Sequence, residues 1–346
     1  MEGNLAQQRC HSASTAVDQD DLVIPIIDFS PFRSGTPADK HAVAVSIVDA
    51  FKSSGFLYLK DHGIPSSVVS EVFGSSARFF ARPQNQKDSL GWTTPQANRG
   101  YVKTGQEKLT LPGEEIIQAT PDLKETMEIG REGVDGLPNH WPDDMDDEGK
   151  RFKEAMLSFF DMCKSLHMKL MRAIALGMSL PEHFFDSYVD QGDNTLRLLH
   201  YPAVSRDVFK ANPSQVRAGE HSDYGSITLL FQDGRGGLQA RSPKGTFVNV
   251  MPIADTVVIN AGDLLSRWSN DVIKSTRHRV VEPPKTVDDG VIDTYPDRYS
   301  VAYFCNPNFN KFIEAIPGTY GEHQQQAKYP GITAGDYLVQ RLTATI

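Results

Sequence analysis

The sequence predicts a mainly β protein with flanking helices, its core a double-stranded β-helix, or jelly roll. Three observations carry this. From Asn194 onward the chain breaks into short apolar segments separated by Asp233-Gly234, Gly236-Gly237 and Lys244-Gly245, pairs suited to tight turns. The long helical patterns lie before residue 190, where they can pack on the outside of such a core. Finally, chemically related residues recur at even spacing, His221 with Asp223 and Arg298 with Ser300. Even spacing on an extended strand puts side chains on one face.

Taken in order, Val23 to Phe29 reads as a first strand. Ala38 to Ser53 is helical, with Val43, Ile47, Ala50 and Phe51 along one face. Gly55 through Lys60 is a strand, and His62-Gly63-Ile64-Pro65 a turn. Ser66 to Phe80 is a helix stopped by Pro83. Residues 91 to 140, rich in Gly, Pro and Thr, read as irregular with short strands. The acidic run Asp143 to Glu148 suits a helix N-terminus, where anions meet the positive end of the dipole. In the following helix, Phe152, Met156, Phe159, Phe160, Cys163, Leu166 and Leu170 form a core stripe. The expected organisation is a disordered lead-in over 1–20 and a single domain over 21–346. That domain divides into a helical and mixed part (about 21–190), a jelly-roll core (about 191–310) and a C-terminal helix (about 333–343).

His221 and Asp223 share a face, and His278, 55 positions after Asp223, can close it from a later strand. Two histidines and a carboxylate on one face of an octahedral ion form a facial triad for Fe(II), with three positions open for a co-substrate and O2. Twenty residues beyond His278, Arg298 and Ser300 again share a face. An arginine fork binds a carboxylate in bidentate fashion, and a serine hydroxyl adds a donor. A dicarboxylate with one end on iron needs such a partner at its other end.

With these motifs the chain resembles the 2-oxoglutarate/Fe(II) oxygenases of the isopenicillin N synthase-like class, from about Ile24 to Leu342. The N-terminal half carries the matching runs Pro25 to Phe29, Gly55 to Pro65 and Phe79 to Pro83. Within that class, Gly91 to Tyr101, Leu196 to Val204 and Tyr303 to Asn308 are similar to the fungal thymine dioxygenases. The resemblance implies Fe(II) held by His221, Asp223 and His278, with 2-oxoglutarate and O2 as co-substrates. It implies hydroxylation of the methyl group of thymine to 5-hydroxymethyluracil, onward oxidation to formyl and carboxyl forms, and a place in pyrimidine salvage. The alternative is a same-class oxygenase acting on a fungal secondary metabolite. Tyr201 matches a tyrosine that helps hold 2-oxoglutarate in relatives. Leu199 stands where plant relatives often carry an asparagine, so that contact is expected to be missing.

Strand parity extends the site. Arg197, Leu199 and Tyr201 share one face, as do Arg298, Ser300, Ala302 and Phe304. Tyr224 and Phe304 are placed to flank a flat ring, with Arg197 donating to a ring carbonyl or held in a structural ion pair. Asn194, in the turn before the strand, is a candidate for the same ring edge, and Asn98 and Tyr101 for the pocket mouth. His62 is expected to cap or pack, His200 to point out of the lumen, and Cys305 to be an inert buried thiol. His140, His167 and His183 have no partner at ligand spacing.

The net charge of −9 argues against a nucleic-acid polymer as partner, since phosphate binding relies on clustered Lys and Arg. No apolar run approaches a membrane span, and the polar first 20 residues lack the apolar core of a secretory leader. Three scattered cysteines, Cys10, Cys163 and Cys305, suit a reducing cytosol. The expected partner is a small molecule, a free pyrimidine base or a small planar metabolite, and the expected location is cytoplasmic.

Overall fold

A computed structural model of the chain describes residues 14–92, 97–106, 122–212, 215–283, 293–321 and 326–343. Its strands begin with β1 (Ser14–Gln19), β2 (Leu22–Asp28), β3 (Phe56–Lys60), β4 (Gly100–Val102), β5 (Glu125–Gly130) and β6 (Thr195–Tyr201). There follow β7 (Val204–Ser205), β8 (Ala218–His221), β9 (Ile227–Gln232), β10 (Leu238–Arg241), β11 (Phe247–Asn249) and β12 (Thr256–Ala261). Then come β13 (His278–Val280), β14 (Thr294–Tyr295), β15 (Arg298–Cys305), β16 (Phe312–Ile313) and β17 (Ile332–Thr333). A nine-stranded sheet runs β1-β2-β3-β12-β9-β15-β6-β5-β4, and a four-stranded sheet runs β11-β10-β13-β8. These are the two layers of the jelly roll.

The helices follow local signals. After the short α1 (Ser30–Ser34), α2 (Pro37–Ser53) starts on a capping box in which Thr36 and Asp39 satisfy each other's amides, with Pro37 in the first turn. The third helix, α3 (Ser66–Phe80), ends just ahead of Pro83, and α4 (Gln84–Asp88) is one turn. Asp146 in the acidic run caps α5 (Asp147–Gly177), accepting from the Gly149 amide at 2.7 Å. Short α6 (Asp186–Val189), α7 (Arg206–Ala211) and α8 (Asp263–Trp268) lie among the strands, and α9 (Ala334–Thr343) comes last. Among the described residues no helix is long and apolar enough to cross a membrane.

Alternation along the strands sorts the interior into two cores. Leu196, Leu198, Leu229, Phe231, Val301 and Tyr303 turn outward to α2, α3 and α5, burying the core stripe of α5. Leu199, Tyr201, Ala302, Ala218, Leu238 and Val280 turn inward, between the sheets. A one-residue slip of β6 or β15 would exchange these faces, so both hydrophobic clusters pin the register.

The disordered lead-in expected over 1–20 does not hold for residues 14–20. Ser14–Gln19 pairs antiparallel with β2, with Ser14 opposite Ile26 and Gln19 opposite Leu22. The turn is made by Asp20 and Asp21, both at positive φ (53° and 64°), the twist that two-residue hairpins favour. The strand's polar composition hides it, because an edge strand facing water is held by main-chain bonds. Residues 1–13, with Cys10, lie outside the described residues. The irregular stretch 91–140 contributes β4 and β5 to the large sheet, while 93–96 and 107–121 lie outside the described residues.

Candidate active site

Antiparallel pairing of β8 with β13 sets His221 opposite His278. Each Nδ1 faces a main-chain carbonyl: Gly219 O at 2.7 Å for His221 and Thr276 O at 3.2 Å for His278. This fixes the ring orientation and leaves both Nε2 atoms toward Asp223, whose Oδ1 lies 3.9 Å from His221 Nε2 and 3.7 Å from His278 Nε2. The other carboxylate oxygen, Oδ2, accepts from Thr228 Oγ1 (2.5 Å) and Asn260 Nδ2 (2.7 Å). One oxygen is held and one is free. All three ligand atoms lie within 4.8 Å of one another, and the set suits Fe(II), with outer partners orienting every ligand. Burial and the neighbouring His278 push the His221 pKa down, keeping the imidazole neutral as a ligand must be. Burial works to raise Asp223, but His278, His221 and its two hydrogen bonds outweigh it and leave the carboxyl below its usual range.

The same cavity is lined by Arg298 and Ser300, both buried. Arg298 donates from Nε to Gly236 O at 2.7 Å, and its guanidinium lies 4.7 Å from the Tyr201 ring centre. Among the described residues its terminal nitrogens meet only neutral acceptors, Ser300 Oγ (3.3 Å) and Gln232 Oε1 (3.4 Å). Leu199 lines the cavity with an apolar side chain. Triad and arginine belong to one cavity of about 390 Å³.

Arg197, Tyr224 and Phe304 line the rest of that cavity. Arg197 is held in an ion pair, one of the two alternatives expected of it. Its Nε lies 2.5 Å from Glu128 Oε1, and its guanidinium sits 5.3 Å from the centre of the Phe304 ring. Tyr224 carries the Arg341 guanidinium at 4.6 Å from its ring centre. Asn98 also lines the cavity, with Nδ2 donating to Thr195 Oγ1 at 3.3 Å. Two expectations are corrected. Asn194 does not reach the cavity: Nδ2 donates to the Tyr303 hydroxyl (2.9 Å) and Oδ1 accepts from the Asn306 amide (2.8 Å), so both ends are used in tying β15 to the preceding turn. Tyr101 is packed on Phe79, its hydroxyl bound to Glu125.

Sequence reasoning missed several residues. Thr228 and Asn260 orient Asp223; Asn260 was visible as a polar residue ending the apolar run Val257-Val258-Ile259. Glu128, fully buried opposite Arg197 in the β5–β6 register, was visible as a charge of the same parity as Thr126. Lys124 lines the cavity and pairs with Asp122 at 2.5 Å, while Asp122 accepts from the Gly219 amide at 3.0 Å. Leu338 and Leu342 of α9 also line the cavity, and Arg341 pairs with Asp263 at 2.8 Å. No local signal ties that distant helix to the pocket.

The other histidines have structural surroundings. His62 Nδ1 accepts from the Ile64 amide (3.2 Å), and His200 lies between Glu125 (2.7 Å) and Asp297 (2.9 Å) outside the lumen. His140 faces Leu90 O (3.2 Å), and His183 faces Asp186 (2.8 Å). His167 faces Ser226 (3.3 Å), its pKa driven down by burial to about 3. Cys305 is buried, with its thiol pKa pushed up by that burial.

Two family models match: non-haem dioxygenase in morphine synthesis N-terminal over residues 24–144, and the 2OG-Fe(II) oxygenase superfamily over 192–307. A 2-oxoglutarate-Fe(II) type oxidoreductase of Metarhizium rileyi is 36% identical, spanning 92% of this chain and 90% of the relative. A proline hydroxylase of Petromyces alliaceus is 33% identical over 92% of this chain and 98% of its own length. Among solved structures, full-length thymine 7-hydroxylase of Neurospora crassa in complex with α-ketoglutarate and thymine is similar at 56% identity and a TM-score of 0.89. That match covers 96% of this chain and 100% of the other.

Proposed function

This chain belongs to the 2-oxoglutarate–Fe(II) oxygenase superfamily, and from that membership we propose that it hydroxylates the methyl group of thymine, giving 5-hydroxymethyluracil and, in further rounds, the formyl and carboxyl forms. It is a dioxygenase that uses Fe(II), 2-oxoglutarate and O2. The observation that carries the substrate reading is Arg197 lying over Phe304 in the cavity that also holds the triad. An aromatic ring with a guanidinium beside it suits a small planar ring bearing carbonyls. The 56% identity to a thymine-bound relative supports it.

His221, Asp223 and His278 would hold the iron. Bound there, iron lets 2-oxoglutarate and O2 yield succinate and CO2 while one oxygen atom enters the methyl C–H bond. Arg298 and Ser300 hold the far carboxylate of 2-oxoglutarate beside Tyr201. Thr228 and Asn260 keep Asp223 turned so that one oxygen stays free. Phe304 stacks on the base, Arg197 donates to a ring carbonyl, and Glu128 aims Arg197. Leu230, Ala302 and Leu199 give the middle of the cavity an apolar wall.

The test is thymine titration of anaerobic protein loaded with Fe(II) and 2-oxoglutarate, followed by the metal-to-ligand absorption band. A saturable shift is expected, and admitting O2 for a single turnover should release 5-hydroxymethyluracil and succinate in equal amounts. The second reading, hydroxylation of a fungal secondary metabolite, is favoured by the curated relatives at 31–36% identity, a proline hydroxylase among them. No response to thymine, together with succinate release driven by an amino acid or aromatic metabolite, would select it.

A further inference from the structure

Arg217 is a fully buried side chain, 0% exposed, and among the described residues none of its three guanidinium nitrogens has a hydrogen-bond partner. A buried ion without a partner is costly, and native structures leave few such groups without a reason. Its place in the fold suggests that reason. Arg217 stands immediately before β8, its amide donating to Val280 O at 2.8 Å. Val280 pairs with Leu238, which follows the turn whose Gly236 carbonyl receives Arg298 Nε. Both arginines therefore come to the same end of the lumen, Arg217 from the four-stranded sheet and Arg298 from the nine-stranded one. Burial and then the charge of Arg298 depress the Arg217 pKa to about 10, still well above neutrality.

Two acids, Asp233 and Asp297, lie near enough to raise the Arg217 pKa in part, but among the described residues neither is hydrogen-bonded to Arg217 or Arg298. Asp233 accepts from the amides of Arg235 (3.0 Å) and Tyr299 (2.6 Å). Asp297 accepts from His200 Nε2 (2.9 Å) and the Ala203 amide (2.9 Å). Arg298 itself has only neutral acceptors. Ala218, the next residue along the chain, Val280, which accepts from the Arg217 amide, and Tyr201, which acts on its charge, line the cavity, while Arg217 itself is fully buried beside that lining.

We propose that Arg217 is a second cationic holder of the far carboxylate of 2-oxoglutarate, completing from the opposite sheet the site begun by Arg298. Among the described residues neither guanidinium has a hydrogen bond to a carboxylate, and the far carboxylate of 2-oxoglutarate would supply one to both. This rests on the assignment of Arg298 as the co-substrate anchor and is independent of what the substrate is.

The experiment compares wild type, Arg217→Met, Arg217→Lys and Arg298→Lys. Calorimetric titration of 2-oxoglutarate into Mn(II)-loaded protein is combined with thermal unfolding, with and without 2-oxoglutarate. Arg217→Met removes the charge at similar volume. Its affinity should fall by about 10- to 100-fold, the range for losing a charge-assisted hydrogen bond. Without 2-oxoglutarate it should melt at or above the wild-type temperature, because an uncompensated buried charge is gone, and the rise given by 2-oxoglutarate should shrink. If Arg217→Met melts well below wild type yet keeps its full affinity and rise, the arginine is structural and the proposal falls. If that variant does not fold, Arg217→Lys decides: a folded lysine variant with weakened affinity supports the proposal, and unchanged affinity overturns it. A melting rise that chloride alone gives in wild type, with 2-oxoglutarate affinity unchanged in Arg217→Met, assigns the site to a small anion and likewise overturns it. Unchanged affinity in Arg298→Lys would instead remove the anchor on which the proposal rests.

Discussion

The two ends of the cavity are built differently. The iron and co-substrate end is made by side chains on or beside paired strands, most of them steadied from a neighbouring strand or carbonyl: His221 by Gly219, His278 by Thr276, Asp223 by Thr228 and Asn260, Arg298 by Gly236. The part proposed to take the substrate is assembled from residues far apart in sequence. It takes Trp92 and Asn98 from a connecting segment, Arg197 and Phe304 from two strands, and Leu338 and Leu342 from the last helix. The first end is organised for one reaction. The second is where relatives with the same iron chemistry can differ in substrate.

That contrast can be broken at either end. Asp223→Ala removes the single anionic ligand and should abolish both iron retention and succinate formation, with the fold intact by circular dichroism. Turnover at limiting iron would undo the division. At the substrate end, Arg197→Leu strands a buried carboxylate, so a stability loss of about 3–5 kcal/mol is expected in denaturant titration. Arg197→Leu with Glu128→Leu should recover most of it without recovering thymine binding. If the single substitution is neutral, the pair is not the brace described. Phe304→Ala should weaken thymine by about 10- to 100-fold, as expected for a stacking face worth roughly 1–3 kcal/mol, while 2-oxoglutarate binding is unchanged. Asn260→Ala should lower iron affinity by about 10- to 100-fold through loss of an outer partner, measured by competition with a chelator. The smallest effect is expected for Arg298→Lys, about ten-fold in 2-oxoglutarate affinity, since charge is kept and the fork is lost. An unchanged constant would shift the anchor to another basic residue, such as Arg217.

The same contrast decides what could be read from the chain. Period-two alternation carries residue identity directly to position on a strand. That is why His221 and Asp223, Arg298 and Ser300, and the Arg197 face were legible, as were α3 and, from its acidic run, the start of α5. Asn194 was misjudged because it precedes β6, where alternation no longer says which way a side chain turns. Glu128 and Lys124 were missed because β5 lies in a stretch whose Gly, Pro and Thr mask its strand pattern. The contribution of α9 was out of reach, since Arg341 meets Asp263 and Tyr224 across a long separation in sequence. Ser14–Gln19 reads as a tail because water-facing edges carry few apolar residues.

The Glu128–Arg197 pair also bears on how this pocket can change over generations. A lineage drifting toward a new substrate does not easily alter Arg197 in one step, because every replacement without a positive charge takes from the fully buried Glu128 its ion-pair partner. Changing Glu128 first leaves Arg197 unaimed and degrades the existing reaction. The two positions form a locked pair that drift crosses only by a double substitution or through a destabilised intermediate. In families that retain the brace, specificity should vary at Asn98, Tyr224 and the α9 leucines before it varies at the arginine.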